Sequence, residues 1–351
     1  MEVAENTYCE LSFFKDIIAN RKKEGPYAKL YKLLDRQCNI YLDIDEEDLK
    51  QQLKENQVLK NLRKRENLSL KSKKDWQSVV SPEHGVDDVF LLDSDKSKQA
   101  KQQRVEFGVM VLSNTANDLS YFTKITKSHG FNIVPLKQRK KYKTIACQDS
   151  WEEVFKGDKN LELPPYNAIM ISDNFMFSEK FDQRKERSLY ALIKIFVEKA
   201  KDLKASLDIT IFFNNENGYI SEEKGVKIHN EIVDEINKLG LNKNINLTLI
   251  AHTNKSETHD RKIIMNYEYI TSGKGFSVID NRGVQEIAEG DMQDTLSPSD
   301  SLTSVRMRQI QQLSWLEPVY EGKEDCSGSV CFTVGDKKNR LFPNCERPLH
   351  R

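Results

Sequence analysis

The sequence predicts an α/β protein in which strands and helices alternate along the chain. The clearest alternation lies between residues 166 and 252, where apolar runs of strand length are separated by amphipathic helical patterns. Strand–helix–strand order favours parallel neighbours joined by right-handed crossovers. We therefore predict a mixed, largely parallel sheet flanked by helices in the C-terminal half, and an α/β region in the N-terminal half.

Three apolar runs define the central strands of the C-terminal half, at 166–172, 207–213 and 245–252. Helical patterns at 181–199 and 226–239 separate them, and further strands are predicted at 262–270 and 276–279. The carboxyl ends of parallel strands share one edge, where open α/β sheets bind ligands. The polar residues expected at this edge, where turn and capping residues are also common, are Asp173, Asn214, Asn215 and His252.

The N-terminal half shows a second alternation. Its predicted strands are 38–44, 89–92, 107–112 and 131–136, and its predicted helices are 11–18, 27–34, 46–65 and 119–128. Residues 288–304 are rich in serine, threonine and aspartate, which is typical of a linker. We predict an N-terminal α/β region with basic runs over residues 1–150, a second domain over 164–285, and a linker with a C-terminal extension over 286–351.

Composition narrows the classes of protein that the chain can belong to. Hydrophobic residues make up 38% of the 351 residues, charged residues make up 31%, and the formal net charge is zero. No apolar run approaches the ~20 residues that cross a bilayer, and the N-terminus lacks the pattern of a secretory signal. The six cysteines are scattered and contain no CxxC pair. We therefore predict a reduced, cytoplasmic protein without a transmembrane segment, a metal or a cofactor.

A histidine and an arginine open the predicted strand at 262–270. His259 and Arg261 are two residues apart, so their side chains share one face of an extended chain. A turn containing Gly273, Lys274 and Gly275 follows the strand. An imidazole, a guanidinium fork and the backbone N–H groups of a glycine turn together suit a phosphate group.

The spacing of this stretch resembles the signature of the phospholipase D superfamily. In that signature His-x-Lys is followed by four residues, Asp, six residues and Gly-Ser. Here His259-Asp260-Arg261 is followed at the same spacings by Asn266 and by Gly273-Lys274, so the motif is degenerate at three positions. The stretch is more similar still to the phospholipase D-like domain at the C-terminus of MIT-domain proteins, which is regarded as a binding module.

The resemblance implies a phospholipase D-like sheet with a single motif. The catalytic positions would be His259, Arg261 and Asn266, and phosphate contacts would come from Arg261, Gly273, Lys274 and Gly275. Because the enzymes of this superfamily use two facing histidines, hydrolysis would require a homodimer. Asn266 replaces the carboxylate that orients a histidine, and such a loss can lower a rate by ~10⁴.

The motif leaves several hypotheses open. The protein could bind a phosphorylated ligand or nucleic acid, and could act as a phosphodiesterase or nuclease component of a multi-protein system. It could instead be a non-catalytic adaptor for protein partners or membrane lipid. In a purely structural alternative, His259 and Arg261 form an internal polar network with Asp280 or Glu268.

Two basic runs are candidate nucleic-acid contacts, at 60–74 and 137–143, and Trp76 follows the first as a candidate stacking platform. A solvated helix end that favours cations is the alternative. The residues predicted to contact nucleic acid are Lys64, Arg65, Lys73, Lys74, Arg139, Lys140 and Lys141. A metal nuclease that uses carboxylates is a further alternative, although acidic residues are common at strand ends. Its candidate ligands would be Asp43, Asp45, Asp93, Asp95 and Asp173.

Overall fold

A computed structural model gives the fold of the protein and contains two β-sheets. The structure describes the following residues: 6–34, 39–64, 69–76, 88–126, 164–174, 176–177, 189–241, 244–253, 261–272, 292–294, 316 and 329–342. Among the helices in these ranges, none is long and apolar enough to cross a membrane. The predicted strands at 131–136 and 276–279 lie outside the described residues.

The first sheet has five strands, and every neighbouring pair is parallel. The strands are β1 (Asn6–Cys9), β2 (Asn39–Leu42), β3 (Ser69–Ser72), β4 (Val89–Leu92) and β5 (Met110–Ser113). Their order is β3-β2-β1-β4-β5, so the direction of winding reverses between β1 and β4. The predicted α/β character of the N-terminal half is confirmed.

Helices cover both faces of this sheet. They are α1 (Leu11–Asn20), α2 (Pro26–Leu34), α3 (Glu46–Glu55), α4 (Gln57–Arg63), α5 (Ser97–Phe107) and α6 (Ala116–Ile125). All except α5 contribute apolar side chains to the core on one face, whereas α5 packs on the other face with Trp76 and Phe90. The sheet is therefore buried on both sides, as expected for parallel strands.

The helix predicted at 46–65 is in fact two helices. The chain leaves helical geometry at Asn56, where φ is −112° and ψ is 109°. The Asn56 side chain accepts hydrogen bonds from the N–H groups of Val58 and Leu59, and therefore caps the start of α4. Asparagine is a preferred residue at this capping position because its side-chain oxygen satisfies otherwise unpaired backbone donors.

The second sheet has seven strands in the order β11-β10-β9-β6-β7-β8-β12. They are β6 (Ala168–Ser172), β7 (Leu207–Asn214), β8 (Ile245–His252), β9 (Arg261–Met265), β10 (Tyr269–Ser272), β11 (Met292–Asp294) and β12 (Val330–Gly335). The predicted strands at 207–213 and 245–252 pair in its centre. Only the β6–β7 and β7–β8 pairs are parallel, so the sheet is mixed with a parallel centre and antiparallel flanks.

The antiparallel flanks arise from how the chain continues after β8. β9 runs back beside β6 and then turns directly into β10, which removes the crossover that a parallel pair needs. β11 and β12 come from the stretch predicted as a linker and extension, and they form the two edges of the sheet in the described part of the chain. The helices α7 (Leu189–Lys199) and α8 (Glu222–Asn237) pack on one face, and Leu316, Leu341 and Phe342 pack on the other.

The two sheets meet where β5 begins and where β9 turns into β10. Tyr267, in that turn, is buried in the core of the first sheet. Its hydroxyl accepts from Met110 N at 2.9 Å and donates to Asp88 O at 3.1 Å. Gly108 has a φ of +65°, and a Cβ there would lie 2.4 Å from Tyr166 O. Only glycine allows the two backbones to approach this closely.

Candidate functional site

A groove with a basic lining lies between α3 and α4. Its volume is about 620 Å³, and we call it the basic groove. The residues that line it are Lys50, Leu53, Lys54, Lys60, Arg63 and Lys64. Five of these six side chains are cationic, and none is acidic.

Helical periodicity explains why these cations share one groove. Lys50 and Lys54 are four residues apart and therefore neighbours on α3, and Lys60, Arg63 and Lys64 are neighbours at the end of α4. The opposite faces of both helices are apolar and bury leucines against the first sheet. The break at Asn56 lets the second helix change direction while both helices keep their leucines in the core.

The cations of the basic groove have no acidic partner in the part of the chain that the structure describes. Within the described ranges, none of the five cationic side chains forms an ion pair or a hydrogen bond. Of the acidic residues of α3, Glu46 and Glu47 lie one turn before Lys50 without pairing with it, and Glu55 accepts from Gln51. Neighbouring like charges on a helix are destabilising by a few tenths of a kcal/mol per pair. A bound anion would relieve the repulsion between the neighbouring cations of the groove.

The predicted nucleic-acid contacts separate into three groups. Lys64 lines the basic groove, whereas Lys73 and Lys74 lie beyond β3, where the Lys73 ammonium is 5.3 Å from the centre of the Tyr8 ring. Arg65, Arg139, Lys140 and Lys141 lie outside the described residues. Sequence analysis missed Lys50 and Lys54, although their four-residue spacing on a predicted helix was a usable signal.

Trp76 is not the stacking platform that the sequence suggested. Only 1% of its surface is exposed, and its ring packs against Tyr8 and Phe90 with centroid distances of 5.7 Å to each. An indole that is buried between two rings cannot receive a base. Trp76 is a core residue of the first sheet.

A second polar region lies at the carboxyl edge of β6, β7 and β8. Residues Ser172 and Phe212 are register partners, as are Asn214 and His252, so Asp173, Asn214 and His252 lie along one edge as predicted. Arg261 begins the antiparallel strand β9 at the same edge. The amide of Asn215 is used within its own turn, because it bonds both the N–H and the C=O of Ile220.

The sheet divides these side chains between its two faces. Arg261 is on the face covered by α7 and α8, together with Ile263, and its Nε is 4.0 Å from an Asp173 carboxylate oxygen. His252 is on the opposite face, where its ring is 6.0 Å from that of Phe212. His252 and Arg261 therefore do not act on the same group from one side of the sheet.

Burial controls the protonation of His252. The residue is fully buried, and desolvation lowers the pKa of its imidazole from 6.5 to about 4. The ring is therefore neutral at physiological pH.

Most of the motif that resembles phospholipase D lies outside the described residues. This applies to His259, Gly273, Lys274 and Gly275, and also to Asp280. Arg261 is described, and the carboxylate 4.0 Å from it is that of Asp173.

Asn266 lies at the opposite end of β9 from Arg261, about 17 Å away along the strand. Its Oδ1 accepts from the backbone N–H groups of Asn167 and Ala168, each at 3.2 Å. Its Nδ2 donates to Asn167 Oδ1 at 2.9 Å and to Gly108 O at 3.2 Å. The amide therefore joins the two sheets, and the position expected to be catalytic does not reach the edge that holds Arg261.

The acidic residues proposed for a metal nuclease do not form one site. Asp45 caps α3 by accepting from Asp48 N, and Asp43 accepts from Asp75 N. Asp93 contacts Ser12 at the carboxyl edge of the first sheet, whereas Asp173 belongs to the second sheet. Across the residues with described positions, no three histidine, cysteine, aspartate or glutamate side chains are grouped to hold a metal ion.

Fold and site together define an α/β protein with a parallel sheet, a mixed sheet and a strongly basic groove beside the parallel sheet. Comparison of the chain with protein-family models, curated proteins and solved structures finds no match. Function must therefore be inferred from the groove and from the edge of the mixed sheet.

Proposed function

We propose that the protein binds the phosphate backbone of nucleic acid through the basic groove. The observation that carries this proposal is the convergence of five cationic side chains on one groove whose described lining contains no acidic residue. The chain as a whole has 54 basic and 54 acidic residues. Residues 46–64, which span α3 and α4, contain five basic and four acidic residues. The positive charge is therefore concentrated in the lining of the groove, and an anionic partner would be attracted to that lining.

The lining of the groove supports contacts with phosphates rather than with bases. Lysine and arginine side chains bind phosphate oxygens and, among bases, contact chiefly guanine, whereas asparagine and glutamine read adenine and aromatic rings stack on bases. Among the described residues that line the groove, none is asparagine, glutamine or aromatic. Binding should therefore depend weakly on nucleotide sequence and strongly on salt, because each neutralised phosphate releases counterions.

We expect the double variant Lys54→Glu/Arg63→Glu to bind an oligonucleotide of about 20 nucleotides at least 100-fold more weakly than the wild type at low salt. Reversing two charges removes two cations that neutralise phosphates and adds two groups that repel them. Fluorescence anisotropy across a salt series measures both the affinity and its slope. The slope should fall by about 0.7 to 0.9 for each phosphate that the variant no longer neutralises.

A matched control for this experiment is Lys224→Glu/Lys227→Glu. It reverses the charge of two exposed lysines on α8, which packs on the second sheet. The control should bind like the wild type, and circular dichroism should show that both variants are folded. Equally weakened binding in the two variants would show that the groove contributes no more to binding than other surface charges do. Absence of wild-type binding at low salt would overturn the proposed function.

A phosphate site at the carboxyl edge of the mixed sheet is a second candidate function. Arg261 lies at this edge, where three parallel strands end and where open sheets bind ligands. The resemblance of the HDR stretch to phospholipase D-like domains favours the same residue as a phosphate clamp. A catalytic form of this site, as a phosphodiesterase or nuclease, would need two copies of His259 in a homodimer. A non-catalytic form would be an adaptor for protein partners or membrane lipid.

We expect Arg261→Ala to weaken binding of a phosphorylated ligand at least tenfold, because the guanidinium fork holds two phosphate oxygens. Activity on a phosphodiester, ligand binding and molecular mass would be measured for the wild type, Arg261→Ala and His259→Ala, with exposed Lys201→Ala as a control. Activity in a dimer that His259→Ala abolishes supports the enzyme, and binding without activity supports the module. Unfolding of both site variants would show that the pair is structural.

A further inference from the structure

The edge strand β3 separates two basic surfaces of the first sheet. Leu70 of β3 points towards α3 and α4 and is buried with their leucines. Lys71, the next residue, therefore points to the opposite face, and its ammonium is 5.5 Å from the centre of the Tyr41 ring. The basic groove and Lys71 lie on opposite sides of the sheet, with β3 between them.

Lys71 and Lys73 form the second surface, which we call the lysine pair. The Lys73 ammonium is 5.3 Å from the centre of the Tyr8 ring and 5.4 Å from that of Tyr41. Contact with an aromatic face positions an ammonium group without removing its charge. Both lysines therefore remain available for a phosphate, and their tyrosine neighbours restrict where the ammonium groups lie.

Both tyrosines support the lysines, and Tyr8 is too buried to be a platform for bases. Tyr8 stacks on Tyr41 with a centroid distance of 4.9 Å and an interplanar angle of 13°. It also stacks on Phe90, at 5.0 Å and 11°. The Tyr8 ring is covered by these two neighbours, and it is only 2% exposed. The lysine pair, like the basic groove, therefore offers mainly positive charge.

We propose that one nucleic-acid strand runs from the basic groove across β3 to the lysine pair, and that the ligand is single-stranded. This inference rests on the proposed function of the groove. In the described part of the chain β3 pairs only with β2, so the strand edge between the two surfaces is the outer edge of the sheet. Among the residues described there, the edge separates two cationic surfaces, a charge distribution complementary to a phosphate chain that bends around it.

Stiffness excludes a duplex from such a path. Double-stranded DNA has a persistence length of about 150 base pairs, whereas the path turns around a single strand of the protein. A single strand can turn there because its backbone is flexible when its bases are unstacked. A duplex can contact the groove or the lysine pair, but it cannot contact both at once.

The test compares single strands of about six and about 20 nucleotides with a duplex of the longer length, using the full chain. We expect the longer single strand to bind at least tenfold more tightly than the duplex. Lys71→Gln/Lys73→Gln should remove that advantage and lower the salt slope for the longer strand by about 1.4, which is two phosphates at about 0.7 each. Its affinity for the six-nucleotide strand should fall much less, because the groove can hold a short strand without the lysine pair.

The control Lys224→Gln/Lys227→Gln should behave like the wild type in every comparison. Equal binding of duplex and single strand, with no effect of Lys71→Gln/Lys73→Gln, would overturn the inference while the groove variant still tests the proposed function separately. Inorganic polyphosphate of the same charge is used as a competitor. If it competes as well as a single strand does, the assignment to nucleic acid is overturned. Loss of binding to both lengths of strand in the lysine-pair variant would overturn the path between two separate surfaces, because it would show that they are one site.

Discussion

Asp118→Ala is expected to lower the free energy of unfolding by about 3–5 kcal/mol. Asp118 is buried, and one carboxylate oxygen accepts from both terminal nitrogens of Arg104 at 3.2 Å. The other accepts from the N–H of Ser113 at 2.7 Å and from its hydroxyl at 2.6 Å. Removal of the carboxylate leaves a buried guanidinium without its counter-ion and a buried backbone N–H without an acceptor. Urea denaturation monitored by circular dichroism measures the decrease.

A double variant with apolar side chains separates the contribution of charge to stability from that of packing. Arg104→Met/Asp118→Leu removes both charges, and buried ion pairs replaced by apolar side chains often lose little stability. The Arg104 guanidinium also lies 4.1 Å from the centre of the Tyr121 ring and donates to Val111 O, so part of the decrease should persist. If Asp118→Ala costs less than about 1 kcal/mol, the pair does not brace α5 and α6 against β5.

The sequence had no local signal for this ion pair. Arg104 and Asp118 are 14 residues apart on different helices, with β5 between them. Their meeting depends on how α5 and α6 pack around β5, and hydrophobic periodicity does not report it. Most of the helices and longer strands were predictable from the spacing of their apolar residues. The four-residue strands β1 and β3 were not predicted, and the single strand predicted at 262–270 is the hairpin of β9 and β10.

Only part of the basic groove was predicted, because only some of its cationic residues are close together in the sequence. Lys60, Arg63 and Lys64 are close in the sequence, so they stand out as a run of charges. Lys50 and Lys54 precede Asn56, and they join the others only because the chain changes direction there. The apolar pattern of leucines continues from α3 into α4, so the sequence predicted one long helix where the structure has two. The capping preference of asparagine was the one local indication.

The edge of the mixed sheet shows a different limit of sequence reasoning. Parallel strands place their carboxyl ends together, so Asp173, Asn214 and His252 could be assigned to one edge. The face of the sheet on which each side chain lies depends on register between strands, and a shift of one residue exchanges the two faces. The observed register puts His252 and Arg261 on opposite faces.

Stability is expected to fall by up to about 3 kcal/mol through His252 as the pH drops from about 7 to about 4. Its pKa is near 6.5 in the unfolded chain and is lowered to about 4 by burial in the folded protein. Between these values the unfolded state binds a proton that the folded state does not, so protonation favours unfolding. Above pH 6.5 both states are neutral, and the effect vanishes. Urea denaturation at several pH values measures the dependence.

His252→Leu removes the titrating group while it keeps an apolar side chain beside Phe212, so its stability should change less over the same range of pH. The comparison must be made against this variant because Asp208 acts in the opposite sense. Burial raises the pKa of the Asp208 carboxyl above its usual value, despite the neighbouring Arg340. The folded state therefore binds that proton more tightly, and this stabilising contribution grows as the pH falls through the raised pKa. The difference between the two proteins cancels Asp208 and isolates His252, and parallel pH profiles would show that the imidazole is not buried as a neutral group.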